Sequence, residues 1–292
     1  MRAPIQLDLH LPNFNYPGVG PDAVFQKLVE IARAAEQAGF TSVSLMDHYH
    51  QIPPVGPPQN WMFDGSTMLA GIAARTETIA LGLLVGGVTY RNPAQHAKIT
   101  TTLDIISGGR AIHGVGAGWF EEEHDAYGFP FPPLKERFEH LEDALRIARA
   151  MFTEDEPTVE GRHHSVRDIL NRPRPLRGDI PILVGGSGER KTLRLVAKYA
   201  DACNLFGTSA RDVAHKLDVL REHCAAEGRD YDSIVKTALV TRPPLVDPDA
   251  WLTEVESFAA LGITEVMTMP DRNPVEFANG LAEKILPRLA SI

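Results

Sequence analysis

Asp47 and His48 follow an apolar run and bring together two side chains that can do proton chemistry. Histidine titrates near neutrality, so it can give or take a proton at physiological pH, and a neighbouring carboxylate can orient it. The bland alternative is a helix-capping aspartate beside a solvated imidazole. Eleven histidines raise the question of a metal. The densest clusters are His48-Tyr49-His50 and His163-His164. Neither has HExxH spacing, and adjacent side chains on a strand point to opposite faces, so no metal is expected. No GxSxG elbow presents a serine nucleophile. The Glu121-Glu122-Glu123 run reads as a solvated helix start.

Three glycine-rich stretches could hold a ligand. Leu84-Val85-Gly86-Gly87-Val88-Thr89 ends an apolar run, and its glycines allow close approach of a flat molecule or serve a plain turn. Gly114-Val115-Gly116-Ala117-Gly118-Trp119 matches half of a dinucleotide fingerprint. The context fails, because no first strand precedes it and no helix is expected directly after it. Its glycines read as backbone thinned for a planar ring, with Trp119 as pocket wall. Gly185-Gly186-Ser187-Gly188 leaves backbone N–H groups uncovered, and Ser187 is expected to open a helix. That arrangement suits an anion such as phosphate, with Arg190, Lys191 and Arg194 adding positive charge.

Apolar runs bounded by Gly or Pro alternate along the chain with segments of helical period. Strands are expected at 5–11, 41–46, 79–85, 110–115, 180–184, 202–206, 234–240 and 263–269, and a small hairpin at 158–166. Helices are expected near 21–38, 65–75, 93–106, 134–151, 209–226, 249–261 and 274–289, with another opening at Ser187. Strict alternation over 292 residues gives an α/β chain of the (β/α)8 class, one TIM-barrel domain over 1–292 with insertions. A doubly wound open sheet is the rival. Barrel chemistry occurs on the loops after the strands, here 12–20, 47–64, 86–92, 116–133, 185–189, 207–209, 241–248 and 270–273. Asn13, in the first of these loops, is a candidate for the substrate pocket. Segment 153–179 precedes a strand and by formal count falls on the opposite face.

Composition removes whole classes of function. The net charge is −9, and no Lys/Arg run tracks a phosphate backbone, so nucleic acid and anionic membranes are not expected partners. No apolar stretch reaches the ~18–20 residues that span a bilayer. Residues 1–7 contain no signal-peptide h-region. Cys203 and Cys224 form neither a disulfide framework nor a CxxC pair, and a reducing cytoplasm is the expected location.

The motifs together resemble the bacterial-luciferase-like superfamily of flavin and deazaflavin barrels, most closely its coenzyme F-420-dependent oxidoreductases. The matching stretches are 38–48, 81–93, 103–110, 114–119, 127–130 with 136–138, and 181–186. The resemblance implies a homodimer with the cofactor ring across the strand ends. Asp47 and His48 contact the ring, and His48 is the proton donor or hydride-site partner. A non-proline cis peptide near Leu84-Val85-Gly86 supports the ring, and Gly116 and Gly118 line it. Gly185, Gly186, Ser187 and Gly188 hold the cofactor phosphate. Two departures speak against a sugar-phosphate dehydrogenase: Trp119 stands where those relatives have a catalytic glutamate, and Ser209 lies near their phosphate-binding lysine. The short loop 241–248 implies an open site for apolar substrates. The implied activity is hydride transfer between F-420 and a small organic substrate. An FMNH2-dependent monooxygenase and a non-catalytic cofactor-binding barrel remain alternatives. A cofactor-free isomerase or aldolase would need a Lys or Glu at a strand tip, and none is well placed.

Overall fold

The computed structural model describes residues 5–206, 209–271 and 273–290. Positions 207, 208 and 272 of the strand-end loops, and the two extremities, lie outside the described residues. The apolar runs form short parallel strands: β1 (Gln6–Leu11), β2 (Ser42–Leu45), β3 (Ala80–Leu83), β4 (Gly86–Gly87), β5 (Ala111–Gly116), β6 (Ile182–Gly185), β7 (Ala202–Leu205), β8 (Val235–Val240) and β9 (Glu265–Thr268). Their order is β3-β2-β1-β9-β8-β7-β6-β5, and β3 also pairs with β5. That last pairing closes the sheet, which excludes the open doubly wound alternative. Both faces of each strand are covered, so the strands are almost continuously buried, as parallel sheets require. The result is a (β/α)8 barrel.

The surrounding helices are α1 (Val24–Ala38), α2 (Gly65–Ala73), α3 (Pro93–Ser107), α4 (Glu121–Tyr127), α5 (Leu134–Thr153), α6 (Thr192–Tyr199), α7 (Ala210–Glu227), α8 (Pro248–Leu261), α9 (Pro274–Lys284) and α10 (Leu286–Leu289). Their ends follow local chemistry. In α3 the Asn92 side chain accepts from the Ala94 and Gln95 N–H groups, and Pro93 fills the first turn, where its missing donor costs nothing. The expected final helix breaks at Ile285, just before Pro287, whose ring cannot continue a helix. The expected hairpin shrinks to one bridge, Val159 to Val166. Among the described residues, no helix is long and apolar enough to cross a membrane.

Two differences bear on the site. α4 begins two residues after Trp119, so a helix does follow the β5 glycines closely. Segment 153–179 starts below α5 but climbs back along it. The His163 and His164 N–H groups donate to Asp143 Oδ2 at 2.7 and 3.0 Å, in the middle of that helix. The formal count had left this segment on the opposite face.

At the far end of the barrel, Asp8 of β1 faces Glu265 of β9. Thr41 Oγ1 donates to Asp8 Oδ1 at 2.6 Å, while Asp8 Oδ2 is buried with no donor of its own. Burial first, and then the Asp8 charge, push Glu265 up to about 8 from 4.5. A proton held between the two carboxyls supplies the missing donor. The folded state thus keeps a proton that the unfolded chain gives up above about 4.5, so stability falls as pH rises through that window towards about 8. Glu265→Gln should flatten this slope and add on the order of 1 kcal/mol at high pH. Urea unfolding in mildly acidic and mildly alkaline buffer measures it; an unchanged slope would refute the shared proton.

Candidate active site

The strand-end loops converge on a cavity of about 320 Å³. Its lining includes Asp47, His48, Leu84, Val85, Gly86, Gly116, Gly118, Trp119, Gly185, Gly186, Ser187 and Gly188. All but one of the residues that the sequence singles out are therefore brought together. Asn13 is the exception: its Oδ1 accepts from the Asn15 N–H and side-chain amide, both at 3.0 Å, and it is not among the cavity's lining residues.

The slot owes its shape to a break in the third barrel strand. β3 pairs with β5 as far as Gly82 opposite Ile112, and β4 resumes with Gly86 opposite Val115. One extra residue sits on the β3–β4 side, a bulge that re-aims the chain. The Leu84–Val85 peptide within it is cis, at the position that the resemblance implies. Val85 fills the space beside the tips of β5 and β6. A Cβ on Gly116 or on Gly185 would each approach Val85 Cγ2 to 2.8 Å. These two glycines are thus bare first for Val85, and the ligand surface is Val85 together with exposed backbone. Gly186 differs. Its φ of 114° demands glycine where the chain leaves β6.

Asp47 is buried and doubly committed. It accepts a bidentate pair from Arg91, at 2.6 and 2.9 Å, and the Gly87 N–H at 3.0 Å. Burial works against the Arg91 charge, but Asp47 outweighs it and the guanidinium stays protonated. Asp47 therefore ties the tip of β2 to β4, and its carboxylate reaches a ligand only past these partners.

His48 is held by a residue that sequence reasoning misassigned. Its Nδ1 donates to Glu123 Oε1 at 2.6 Å. The Tyr90 hydroxyl donates to the same oxygen, and the Tyr49 and His50 N–H groups donate to Oε2 at 2.7 and 3.2 Å. Glu123 is fully buried, so the acidic run is not a solvated helix start throughout. Burial alone would raise its pKa; the bonds from His48, Tyr90 and Tyr49 overcome this and hold it below the ordinary carboxylate value. Burial and Glu123 push Tyr90 strongly up, so it remains a donor. With Nδ1 protonated towards Glu123, Nε2 is the ring nitrogen left for a ligand. Helix geometry carried a signal: three consecutive glutamates point about 100° apart, so one of them must turn inward on a short helix laid over the barrel.

Aromatic rings enclose the imidazole. His48 meets Trp119 edge-on at 5.6 Å and Phe120 at 6.0 Å. Trp119 is 55 % exposed and stacks on Phe120, so it is a rim residue with a free face. Behind them, His124 Nδ1 donates to the Phe120 carbonyl at 2.7 Å, and its Nε2 accepts from Thr89 Oγ1 at 2.6 Å.

Ser187 does not open a helix. α6 starts at Thr192, and Ser187 Oγ instead accepts from the Phe206 N–H at 3.0 Å. The Gly186 N–H is spent on the Asn204 carbonyl. The expected helix-terminus anion site is thus absent in that form. Net positive charge lies next door: a second cavity of about 520 Å³ is lined by Lys135, Arg162, Arg190, Lys191 and Arg194 against Glu139 and Glu142, and it shares Phe138 with the first.

The model of the luciferase-like monooxygenase family matches residues 5–281. The chain belongs to that family. An F-420-dependent glucose-6-phosphate dehydrogenase of Microbacterium testaceum is 30 % identical over 279 residues, covering 91 % of this chain and 78 % of its own. Among solved structures, the coenzyme F-420-dependent tetrahydromethanopterin reductase of Methanopyrus kandleri superposes with a TM-score of 0.79 at 19 % identity, covering 98 % of this chain and 100 % of its own. A riboflavin lyase solved with modified FMN and riboflavin superposes with a TM-score of 0.82 at 15 % identity, covering 99 % and 92 %. The structural likenesses share the fold.

Glu123→Gln keeps the shape but turns an amide N–H towards His48 or Tyr90, leaving donors unpaired. It should cost about 2–4 kcal/mol of unfolding free energy near neutral pH. Because the Glu123 pKa is lowered on folding, the wild-type advantage is complete above the carboxylate range and disappears on acidification. Chemical denaturation of both proteins against pH tests this; parallel stability curves would count against it.

Proposed function

We propose that this chain is an oxidoreductase that moves a hydride between deazaflavin coenzyme F-420 and a small organic substrate, with His48 as its proton-handling residue. The observation that carries this reading is one cavity with a flat, side-chain-poor wall, an oriented imidazole at one end and a cationic annex at the other. The F-420 dependence of the Microbacterium testaceum relative supports the choice of cofactor.

The residues present fit such a group. A planar ring fits against Val85 and the backbone of Gly86, Gly116, Gly118 and Gly185. Gly186, Ser187 and Gly188, with Arg190 and Lys191 beyond them, would hold its phosphate-bearing arm, cations taking the place of the helix terminus that the sequence suggested. When bound, the deazaflavin supplies the two-electron hydride chemistry. The protein's own part is positional and protonic. His48 Nε2 accepts the hydroxyl proton as an alcohol substrate is oxidised, and returns it as a carbonyl is reduced. Glu123 steadies the imidazole by accepting from its Nδ1. Trp119 and Phe120 shield the reacting atoms from water on one side. Asp47 fixes the loop rather than transferring a proton, since Arg91 and the Gly87 N–H occupy it.

The homodimer implied by the resemblance and the cytoplasmic location expected from the cysteines belong to the same reading. A dimer would double the 32.0 kDa chain mass in sedimentation.

Fluorescence titration of the purified protein with F-420, and separately with FMN in both redox states, is the first test. Preferential F-420 binding is the expected outcome; preference for FMN would move the chain to the monooxygenase side of its family. His48→Ala should lower turnover by roughly 10²–10⁴-fold while cofactor affinity changes little. Unchanged turnover would remove His48 from the mechanism. Arg190→Glu should weaken cofactor binding by about tenfold at low salt, and less at high salt, where surface charge is screened.

A further inference from the structure

On the outer side of the cofactor-site wall, the described residues bring together Glu136 and His140, one turn apart on α5, and His163 from the segment that climbs along that helix. One ligand atom from each lies within 4.8 Å of the others. We infer that these three side chains bind a divalent first-row transition ion of the zinc class and clamp residues 161–164 onto α5.

The geometry is that of ligands awaiting an ion rather than of hydrogen-bonded partners. Glu136 Oε1 and His140 Nε2 are 3.7 Å apart. That is too long for a hydrogen bond. It is close to the ~3.4 Å separating two ligands on a tetrahedral ion with bonds of about 2.0–2.1 Å. The outward nitrogens already have partners. Glu139 Oε2 lies 3.0 Å from His163 Nε2, and His164 Nε2 lies 2.8 Å from His140 Nδ1. Each partner fixes a ring and, by taking one nitrogen, directs the other nitrogen to the metal, the usual outer-sphere arrangement of metal-binding histidines. With Nε2 of His163 donating to Glu139, the lone pair lies on Nδ1.

Packing supports the same conclusion. The His140 and His163 rings stack at 4.2 Å, and His164 tilts against His140 at 4.9 Å. Adjacent histidines on a strand would face opposite ways. Residues 163 and 164 are not in a strand. Both N–H groups bind Asp143 Oδ2, and this bend turns both rings to the helix. Two imidazoles with one carboxylate suit zinc, nickel, cobalt or copper rather than calcium or magnesium. Water completes the coordination. The neighbouring cavity, of about 410 Å³, is lined by Glu136 and His140 and reaches Tyr90, which leaves the ion accessible from solvent space on that side. No redox step is involved.

The test uses the whole chain, freed of metal with a chelator and titrated with ZnCl₂ by calorimetry, with thermal melting in parallel. The expected result is one equivalent bound with a Kd of about 10 µM or tighter, and a melting temperature that rises with zinc. His163→Ala and Glu136→Gln should each weaken binding by about tenfold or more. His215→Ala, an imidazole elsewhere on the surface, should leave it unchanged. His163 is peripheral enough that its variant stays folded even where His140→Ala does not. Absence of zinc binding, or affinity that survives both His163→Ala and Glu136→Gln, overturns the proposal.

Discussion

A buried carboxylate is tolerated only when its oxygens are satisfied, and Glu123 meets that condition by drawing in three separate pieces of chain. His48 and the two N–H groups after it come from the loop behind β2. Tyr90 comes from the loop behind β4. Glu123 itself comes from α4, the short helix laid over the barrel mouth. Without it, nothing would fix the imidazole tautomer, and Tyr90 would keep a buried hydroxyl without an acceptor. The aromatic layer of Tyr49, Tyr90, His124 and Phe129 packs around the same point, with ring separations of 4.7 to 6.3 Å. The active-site mouth is therefore organised from one negative charge outward.

The opposite wall depends on the absence of side chains. The bulge between β3 and β4 turns Val85 towards β5 and β6, and those strands accept it because Gly116 and Gly185 have no Cβ. A smooth surface results from one branched side chain set among bare backbone. The two walls use opposite means, a saturated hydrogen-bond network on one side and removal of side chains on the other. A flat ligand with one polar reacting edge fits between them.

Much of this was legible in the sequence. Periodicity and Gly/Pro punctuation give every barrel strand, because parallel strands buried on both faces leave continuous apolar runs. The glycine clusters at strand ends mark the cavity, and Asp47 and His48 also line it. What escaped depends on contacts distant in sequence. Glu123 is indistinguishable from Glu121 and Glu122 until α4 is docked. Ser187 has the composition of an N-cap, but its hydroxyl is taken by the Phe206 N–H, and the helix waits until Thr192. Asn13 stands in a strand-end loop, yet its side chain turns back on Asn15. The pairing of His163 with His140 depends on a connection that formal strand counting assigns to the other end of the barrel.

Phe138 faces both the slot at the barrel mouth and the cationic cavity beside it. A single ring thus marks the border between the place where a bound molecule would react and the place where it would be gripped. The two cavities share no other lining residue. Exchanging Lys135 or Arg194 would alter the grip on a bound molecule, whereas exchanging residues around Trp119 would alter what meets it. A fold divided in this way can keep one carrier molecule through many generations while its substrate list drifts.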